Sequence, residues 1–427
     1  MAPATMPRGA PEPPAPRRIL LVDADAFFVA VARLVDPEGA GKSPLLIVGG
    51  GGLRGVVCSA SYEARQFGVR SAMPTARALR LCPRAMVVPV PFGECARKSR
   101  EIGTVLARYA PVVQAASIDE WYLDLSGTEA LYRHTSLGEV AHRIRNSVAS
   151  ETGLSVSIGG ATNRLVAKLA VERAKPKPGS GADGVHVVAP GEEARFVESV
   201  ALADIPMIGP RFRESLEGRG LYTVAQVLGV DLPSLTRMLG ARAAEWLHNR
   251  VRGIDDAAVH PRDLARSLSH EETFAHDLAA DADLEHELVD LVRRVAYDLR
   301  RHGLMARTVT LKLRDSDFRT RSASKTLGAP VISDRVILAT ARGLLLKLRR
   351  ARRVPARLLG VSLTGLDEAD AETQLSLFAA DTSTTTVESD RDRALSRAID
   401  AVRARFGTDA VLPGRLTGGP APARRRR

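Results

Sequence analysis

Two acidic pairs, each at the edge of a short apolar run, constrain this chain more than any other feature of it. Asp23 and Asp25 stand in V-D-A-D-A-F-F, directly after Ile19–Val22; Asp119 and Glu120 stand in S-I-D-E, between the runs Val112–Ser117 and Trp121–Leu125. The apolar runs predict buried strands, and a carboxylate carried to the end of a buried strand is costly unless its charge is compensated. Exposure on a surface turn would relieve either pair alone. Brought together, the carboxylates would repel and raise one another's pKa; a divalent cation removes both costs, and hard oxygen ligands suit Mg²⁺. Two such ions about 3.5–4 Å apart can activate a hydroxyl and steady a leaving phosphate in an in-line displacement. Spacing alone does not bring residue 23 to residue 119; that needs a fold which does so.

The remaining pattern supplies elements for such a fold. Helix-like stretches at Phe27–Leu34, Tyr62–Phe67, Thr75–Leu81 and about 94–109 alternate with strand-like runs at Leu45–Val48, Val56–Ser59 and Val87–Val90. After the hairpin around Ile118–Glu120 come a helix (about 137–151), a strand (Ser155–Ile158), a helix (about 163–174) and a strand (Val185–Val188). This is an α+β pattern. Residues 190–255 read as short helices, and a second α+β region from Arg266 to Leu363 reads strand, helix, two strands, helix, strand. The stretch 367–392 is polar and Thr/Ser-rich, as in disorder, and an amphipathic helix over about 394–406 precedes a basic end, Arg424–Arg427. A chain of 427 residues should hold roughly two to four domains. Its 61 Lys and Arg against 49 Asp and Glu leave +12, which favours a polyanionic partner, nucleic acid before membrane. Three cysteines without zinc spacing, no signal segment and no membrane-length apolar run predict a soluble, intracellular protein.

Four strings, V-D-A-D-A-F-F, S-A-S-Y-E-A-R-Q-F-G-V-R-S-A-M-P, S-I-D-E-W-Y-L-D-L-S and A-K-P, resemble in order and spacing the motifs of Y-family DNA polymerases of the DinB type. The resemblance runs from about Arg18 to Leu416. It implies an α+β, multidomain right-hand polymerase with a ferredoxin-like palm (18–26 and 92–183), small fingers (27–91) and a helical thumb carrying a helix-hairpin-helix (184–255). A linker (256–264), an α+β little finger (265–366), and disordered tails at 1–17 and 367–427 complete the expected organisation. The implied activity is template-directed, low-fidelity translesion synthesis from dNTPs on primer–template DNA, without proofreading, by a cytoplasmic, nucleoid-associated monomer.

Carried over position by position, Asp23, Asp119 and Glu120 match the metal-binding carboxylates, with the Ala24 carbonyl as a backbone ligand, for two Mg²⁺ ions that Mn²⁺ could replace. Asp25 is acidic in the family without being a principal ligand. Phe28 matches the steric gate, whose ring would overlap a ribose 2′-oxygen. Ser59, Tyr62, Arg65 and Lys175 fall where the triphosphate is held, as hydroxyl, guanidinium and ammonium donors suit; Lys168 is a weaker candidate. Residues 202–223 resemble the thumb hairpin, with Ile208 and Gly209 set to meet a DNA phosphate and Thr223 with Gln226 as a capping box. In the little finger Val309, Leu311 and Leu313 alternate with Thr310, Lys312 and Arg314; Arg319 and Arg321 repeat the spacing, and these cations with Arg266 are expected to meet the duplex. Gln374, Leu375, Leu377 and Phe378, in Q-L-S-L-F, resemble the peptide by which bacterial polymerases dock on the β sliding clamp. Three positions depart from the pattern: Ala32 where Glu is common, Trp121 where a small residue is usual, and Met207 where Gly is usual. Two rival readings stand beside this one: a catalytically impaired relative acting as a DNA- and clamp-binding assembly factor, and another palm enzyme such as a nucleotidyl cyclase.

Overall fold

The run before Asp23 forms β1 (Ile19–Ala24), buried over all six residues at the centre of a five-stranded sheet. Its antiparallel neighbours are β6 (Glu120–Asp124) and β7 (Val156–Ala161); β5 (Val112–Ala115) and β8 (Val185–Val187) take the edges, giving β5-β6-β1-β7-β8. Because side chains alternate along a strand, Leu20, Val22 and Ala24 pack on one face and Ile19 and Leu21 on the other. The first face is covered by α4 (Phe92–Leu106) and α5 (Leu137–Thr152), the helices that precede β5 and β7; the second by α6 (Arg164–Ala174). Helix α5 starts at a Ser136–Glu139 capping box and stops at Gly153, whose φ of 71° suits glycine. Setting β8 aside, the strand order and the two covering helices make a ferredoxin-like palm, as expected.

The computed structural model describes residues 16–50, 54–176, 181–261, 265–368 and 388–416, and the chain falls into two units at residue 263. In the first unit, α1 (Phe27–Val35) leads into a three-stranded sheet of β2 (Leu46–Gly49), β3 (Val57–Ala60) and β4 (Met86–Val88), ordered β3-β2-β4. Helices α2 (Tyr62–Gln66) and α3 (Thr75–Leu81) accompany it, over a small core of Ile47, Val57, Ala64 and Ala78. After the palm come five short helices, α7 (Glu193–Glu198), α8 (Pro210–Glu217), α9 (Val224–Leu228), α10 (Leu232–Leu239) and α11 (Ala241–Arg250). They share one apolar cluster with α6, so this helical subdomain is built onto the sheet face that carries Asp23.

The second unit is a four-stranded antiparallel sheet, β11-β10-β12-β9, from β9 (Ser267–Leu278), β10 (Leu304–Asp315), β11 (Thr320–Val331) and β12 (Ala356–Glu368). Helices α12 (Asp281–Arg301) and α13 (Asp334–Ala351) cover one face, burying Val309, Leu311, Leu313, Val361 and Leu363. Among the described residues of this unit, no helix covers the other face. The expected disorder over 367–392 shrinks from both ends: β12 continues to Glu368, and α14 (Asp390–Phe406) begins with a Ser389–Asp392 capping box. Glu388 accepts from the amides of Ile332 and Ser333 at 2.9 and 2.6 Å, which ties the start of α14 to the start of α13. The sequence pattern missed this because the anchors are acids and a serine, which read as a solvated stretch. Residues 374–378 lie outside the described residues, so nothing structural bears on Gln374, Leu375, Leu377 or Phe378. Among the described residues no helix is long and apolar enough to cross a membrane.

Candidate active site

Strand pairing brings the two acidic pairs together. Asp23 sits directly opposite Glu120 across β1–β6, so both side chains leave the same face of the sheet, the α6 face. The Ala24 amide donates to the Asp119 carbonyl at 2.9 Å, which fastens the S-I-D-E turn to the end of β1. Asp119 itself is half-buried and accepts from the Ser117 hydroxyl.

Two lysines from α6 answer two of these carboxylates. Lys175, the residue closing α6, places Nζ 3.0 Å from Asp23 Oδ2 and 2.6 Å from Glu172. Lys168, about two turns earlier, donates to Glu120 Oε1 at 2.6 Å. Burial pushes Asp23 up to about 7 against the pull of Lys175, and the charges of Glu120 and Glu172 add to the rise. Burial alone would depress the ammonium of Lys175, but Asp23 and Glu172 outweigh it and hold the group above its ordinary range. No three His, Cys, Asp or Glu side chains among the described residues form a metal-ligating cluster. The donor set nonetheless fits a hard divalent cation. Asp23 and Glu120 face each other on one sheet surface, Asp119 adjoins them, and at Asp23 burial outweighs the ion pair to Lys175, so further positive charge is favoured there.

Asp25 plays a different part. It is buried, and both its oxygens are taken: Ser157 donates to Oδ1 at 2.7 Å and Ser155 to Oδ2 at 2.8 Å. Sequence reasoning passed over these serines, although the alternating S-V-S of β7 was the available signal. Phe28 lies in the first turn of α1, half-buried, its ring centroid 5.7 Å from that of Phe27. Tyr62 and Arg65 share α2, whose Ser61 N-cap accepts from Ala64. The Arg65 guanidinium lies 5.3 Å from the Tyr62 ring centroid and donates to the Ala60 carbonyl. Burial raises the Tyr62 hydroxyl to about 12; the charge of Asp25 pushes the same way, and Lys175 and Arg65 pull against it. Ser59 is buried on β3, opposite Val48.

The three departures resolve locally. Trp121 is opposite Val22, on the α4/α5 face, and is buried there against the core, away from the carboxylates. Ala32 is buried against Ala40, Leu46 and Val48. Met207 is exposed with φ 74°, so the hairpin keeps a left-handed backbone that glycine would adopt more cheaply. Next to it Ile208 is buried in the helical core and its amide donates to Ile205, which removes Ile208 from the phosphate contacts expected of it. Gly209 is the N-cap of α8, and the Thr223–Gln226 capping box forms as expected.

On the open face of the second unit, Lys312 pairs with Glu271 and Arg314 Nε donates to Thr320 at 2.9 Å. Thr308, Thr310, Ser322, Ser324 and Ser362 share that face, a row of hydroxyls that the search for cations overlooked. Arg319 and Arg266 are exposed. Arg321 does not join them. Its cross-strand partner is Leu313, so it points towards the helices, where it bonds Asp315 at 2.9 Å and the Leu348 carbonyl. The tip between β10 and β11 breaks the alternation on which its placement relied.

Comparison with known proteins agrees with this architecture. Residues 22–172 match the impB/mucB/samB family, and residues 265–377 match the C-terminal domain of the same family. DNA polymerase IV of Gluconobacter oxydans (strain 621H) is 39% identical over 83% of this chain and 96% of its own length. DNA polymerase IV of Dehalococcoides mccartyi (strain CBDB1) is 35% identical over 93% of this chain and 97% of its own. Among solved structures, a Y-family DNA polymerase chimera built on Dbh covers 82% of this chain and 98% of itself, at TM-score 0.71 and 24% identity. An insertion ternary complex of Dbh DNA polymerase covers 81% and 98% at TM-score 0.57, also with 24% identity.

Proposed function

The chain belongs to the impB/mucB/samB family of Y-family DNA polymerases, of the DinB type, and is a DNA-directed DNA polymerase; from that premise we propose that it is a low-fidelity translesion enzyme. It extends primer–template DNA with dNTPs, has no proofreading activity, acts as a monomer in the cytoplasm at the nucleoid, and is recruited by the β sliding clamp through 374–378. What supports the catalytic reading most is the strand register that sets Asp23 against Glu120 and ties Asp119 beside them. The impaired-relative reading finds no support in these residues, since all three carboxylates are present.

Asp23, Asp119, Glu120 and the Ala24 carbonyl would hold two Mg²⁺ ions, for which Mn²⁺ could substitute. When bound, the ions supply Lewis-acid activation of the primer 3′-hydroxyl and charge neutralisation on the departing pyrophosphate. The protein's own side chains do the rest. Lys175, Tyr62 and Arg65 bind the triphosphate oxygens as ammonium, hydroxyl and guanidinium donors, and Ser59 lines the same pocket. Phe28 excludes a ribose 2′-oxygen by overlap. Gly209, at the start of α8, presents backbone N–H groups to a DNA phosphate. Lys312, Arg314, Arg319 and Arg266 meet the duplex backbone, helped by the hydroxyls of the open sheet face. The first unit combines palm, fingers and thumb, and the second is the little finger.

The test is primer extension. Asp119→Ala and Glu120→Ala are expected to bind primer–template with wild-type affinity while extension falls by at least about 1,000-fold, as for the loss of a unit that acts only in the transition state. Extension at the wild-type rate by either variant removes the assignment. Clamp recruitment is tested by deleting 374–378, which should preserve unassisted synthesis and abolish stimulation by added clamp; persistent stimulation refutes it.

A further inference from the structure

Asp25 lies between two positions with proposed tasks, the Ala24 carbonyl and the α1 turn that carries Phe28, and its own carboxylate is held by two serines. The residue is 8% exposed, and both oxygens accept serine hydroxyls, from Ser157 at 2.7 Å and Ser155 at 2.8 Å. Its amide donates to the Ser155 carbonyl at 3.0 Å. Asp25 is thus fastened to Ser155 and Ser157, at the start of β7, by three bonds, two through the side chain and one through the backbone. The residue that follows, Ala26, is left-handed, with φ 43° and ψ 45°, a conformation disfavoured for any residue with a Cβ. Ala26 is also the N-cap of α1 and offers no side-chain cap. Its carbonyl nevertheless accepts two amides of the first turn of the helix, from Val29 at 2.8 Å and Ala30 at 3.0 Å. With no side-chain cap at Ala26, that turn is held by the bonds on Asp25 together with the packing of Ala26 and Phe28 against Val29, Leu46 and Val48. Phe28, two residues on from Ala26, inherits its position from them.

We propose that Asp25, through Ser155 and Ser157, is a positioning residue for sugar selection: it holds the left-handed turn at Ala26 and thereby fixes the ring of Phe28 against the incoming sugar. This rests on the reading of Phe28 as the gate, and concerns which residues set the gate's place. Acting through the gate, the clamp bears on deoxyribose against ribose rather than on catalysis as a whole. A carboxylate with a merely structural role would slow both nucleotides alike.

The experiment measures the ratio of kcat/KM for dCTP over CTP opposite a template guanine. It uses the full chain and the variants F28A, D25A, S155A, S155T and D25A/F28A. The ratio is expected to fall about tenfold in S155A, the scale of one lost hydrogen bond to a charged group, and at least as far in D25A, which loses both serine bonds. It should stay at the wild-type value in S155T, which keeps the hydroxyl at an exposed position. Because the clamp works through the gate, D25A should add nothing to the ratio already lost in F28A. If F28A lowers the ratio while D25A and S155A leave it unchanged, the inference is overturned and the gate stands; if F28A leaves it unchanged, the gate reading itself fails. Should D25A not fold, the S155A and S155T pair decides alone.

Discussion

Glu120 and Trp121 are neighbours in β6 that face opposite sides of the sheet, and that alternation sets the work of each. Glu120 meets Asp23 and Lys168, whereas Trp121 is buried with Val22 and Leu123. The large ring of Trp121 therefore lies on the sheet face opposite to Asp23 and Glu120. The same geometry separates Phe28 from ordinary core aromatics: it remains half-buried at the start of α1 while Phe27 is buried beside it. Phe28→Ala is expected to raise incorporation of ribonucleotides by at least about 100-fold while reducing use of dNTPs much less, since overlap penalises only the sugar that carries the extra oxygen. Competition between dCTP and CTP in primer extension measures this, and an unchanged preference counts against the assignment. At this scale the sequence was legible wherever a residue type names its chemistry, as for Asp23, Glu120 and Lys175. It was not legible where direction decides. Arg321 and Ile208 carry suitable groups, but strand register and a turn aim them inwards. Ser155 and Ser157 were invisible because a serine becomes notable only through its partner.

Among elements, the strands and helices of the palm could be read from periodicity, but their order could not. No local pattern says that β1 lies between β6 and β7, and the site depends on that arrangement. The largest revision concerns α14. Its start is held by charge: Asp392 accepts from Arg335 at 2.6 and 2.8 Å and from Ser389. Further along, Arg300 reaches Asp400 at 2.6 Å and Asp334 at 2.7 Å. The Arg335 guanidinium, with the Ser389 hydroxyl and amide, holds the Asp392 carboxyl well below the usual range. A depressed carboxylate stabilises the folded form above its unfolded pKa, here 3.8, and that stabilisation fades as pH falls further towards the folded value. Helix α14 should therefore stay docked at neutral pH and loosen below about 4. Asp392→Ala removes a cap and a surface ion pair together, worth roughly 1–2 kcal/mol. Hydrogen exchange in α14 is expected to accelerate accordingly, with α12 and α13 unaffected; unchanged protection would show that the helix is held by other means.

For the whole molecule the informative quantity is charge, +12 over 427 residues. Each phosphate neutralised adds about 0.9 to the salt slope of DNA binding. Lys312→Ala and Arg314→Ala are each expected to lower that slope by up to about 1, measured as the salt dependence of primer–template affinity. A slope unmoved by both would take the open sheet face out of the DNA interface. Counting cations overestimates the total, because several already have company. Lys312 rests on Glu271, Lys168 on Glu120 and Lys175 on Asp23. Association with a polyanion is therefore an exchange reaction: each ammonium trades a carboxylate for a phosphate, and the deserted carboxylate must find a new counterion or be repelled. On the sheet face that trade is a tax on affinity. On the proposed reading, the same trade at the end of β1 would free Asp23 to hold the divalent ion.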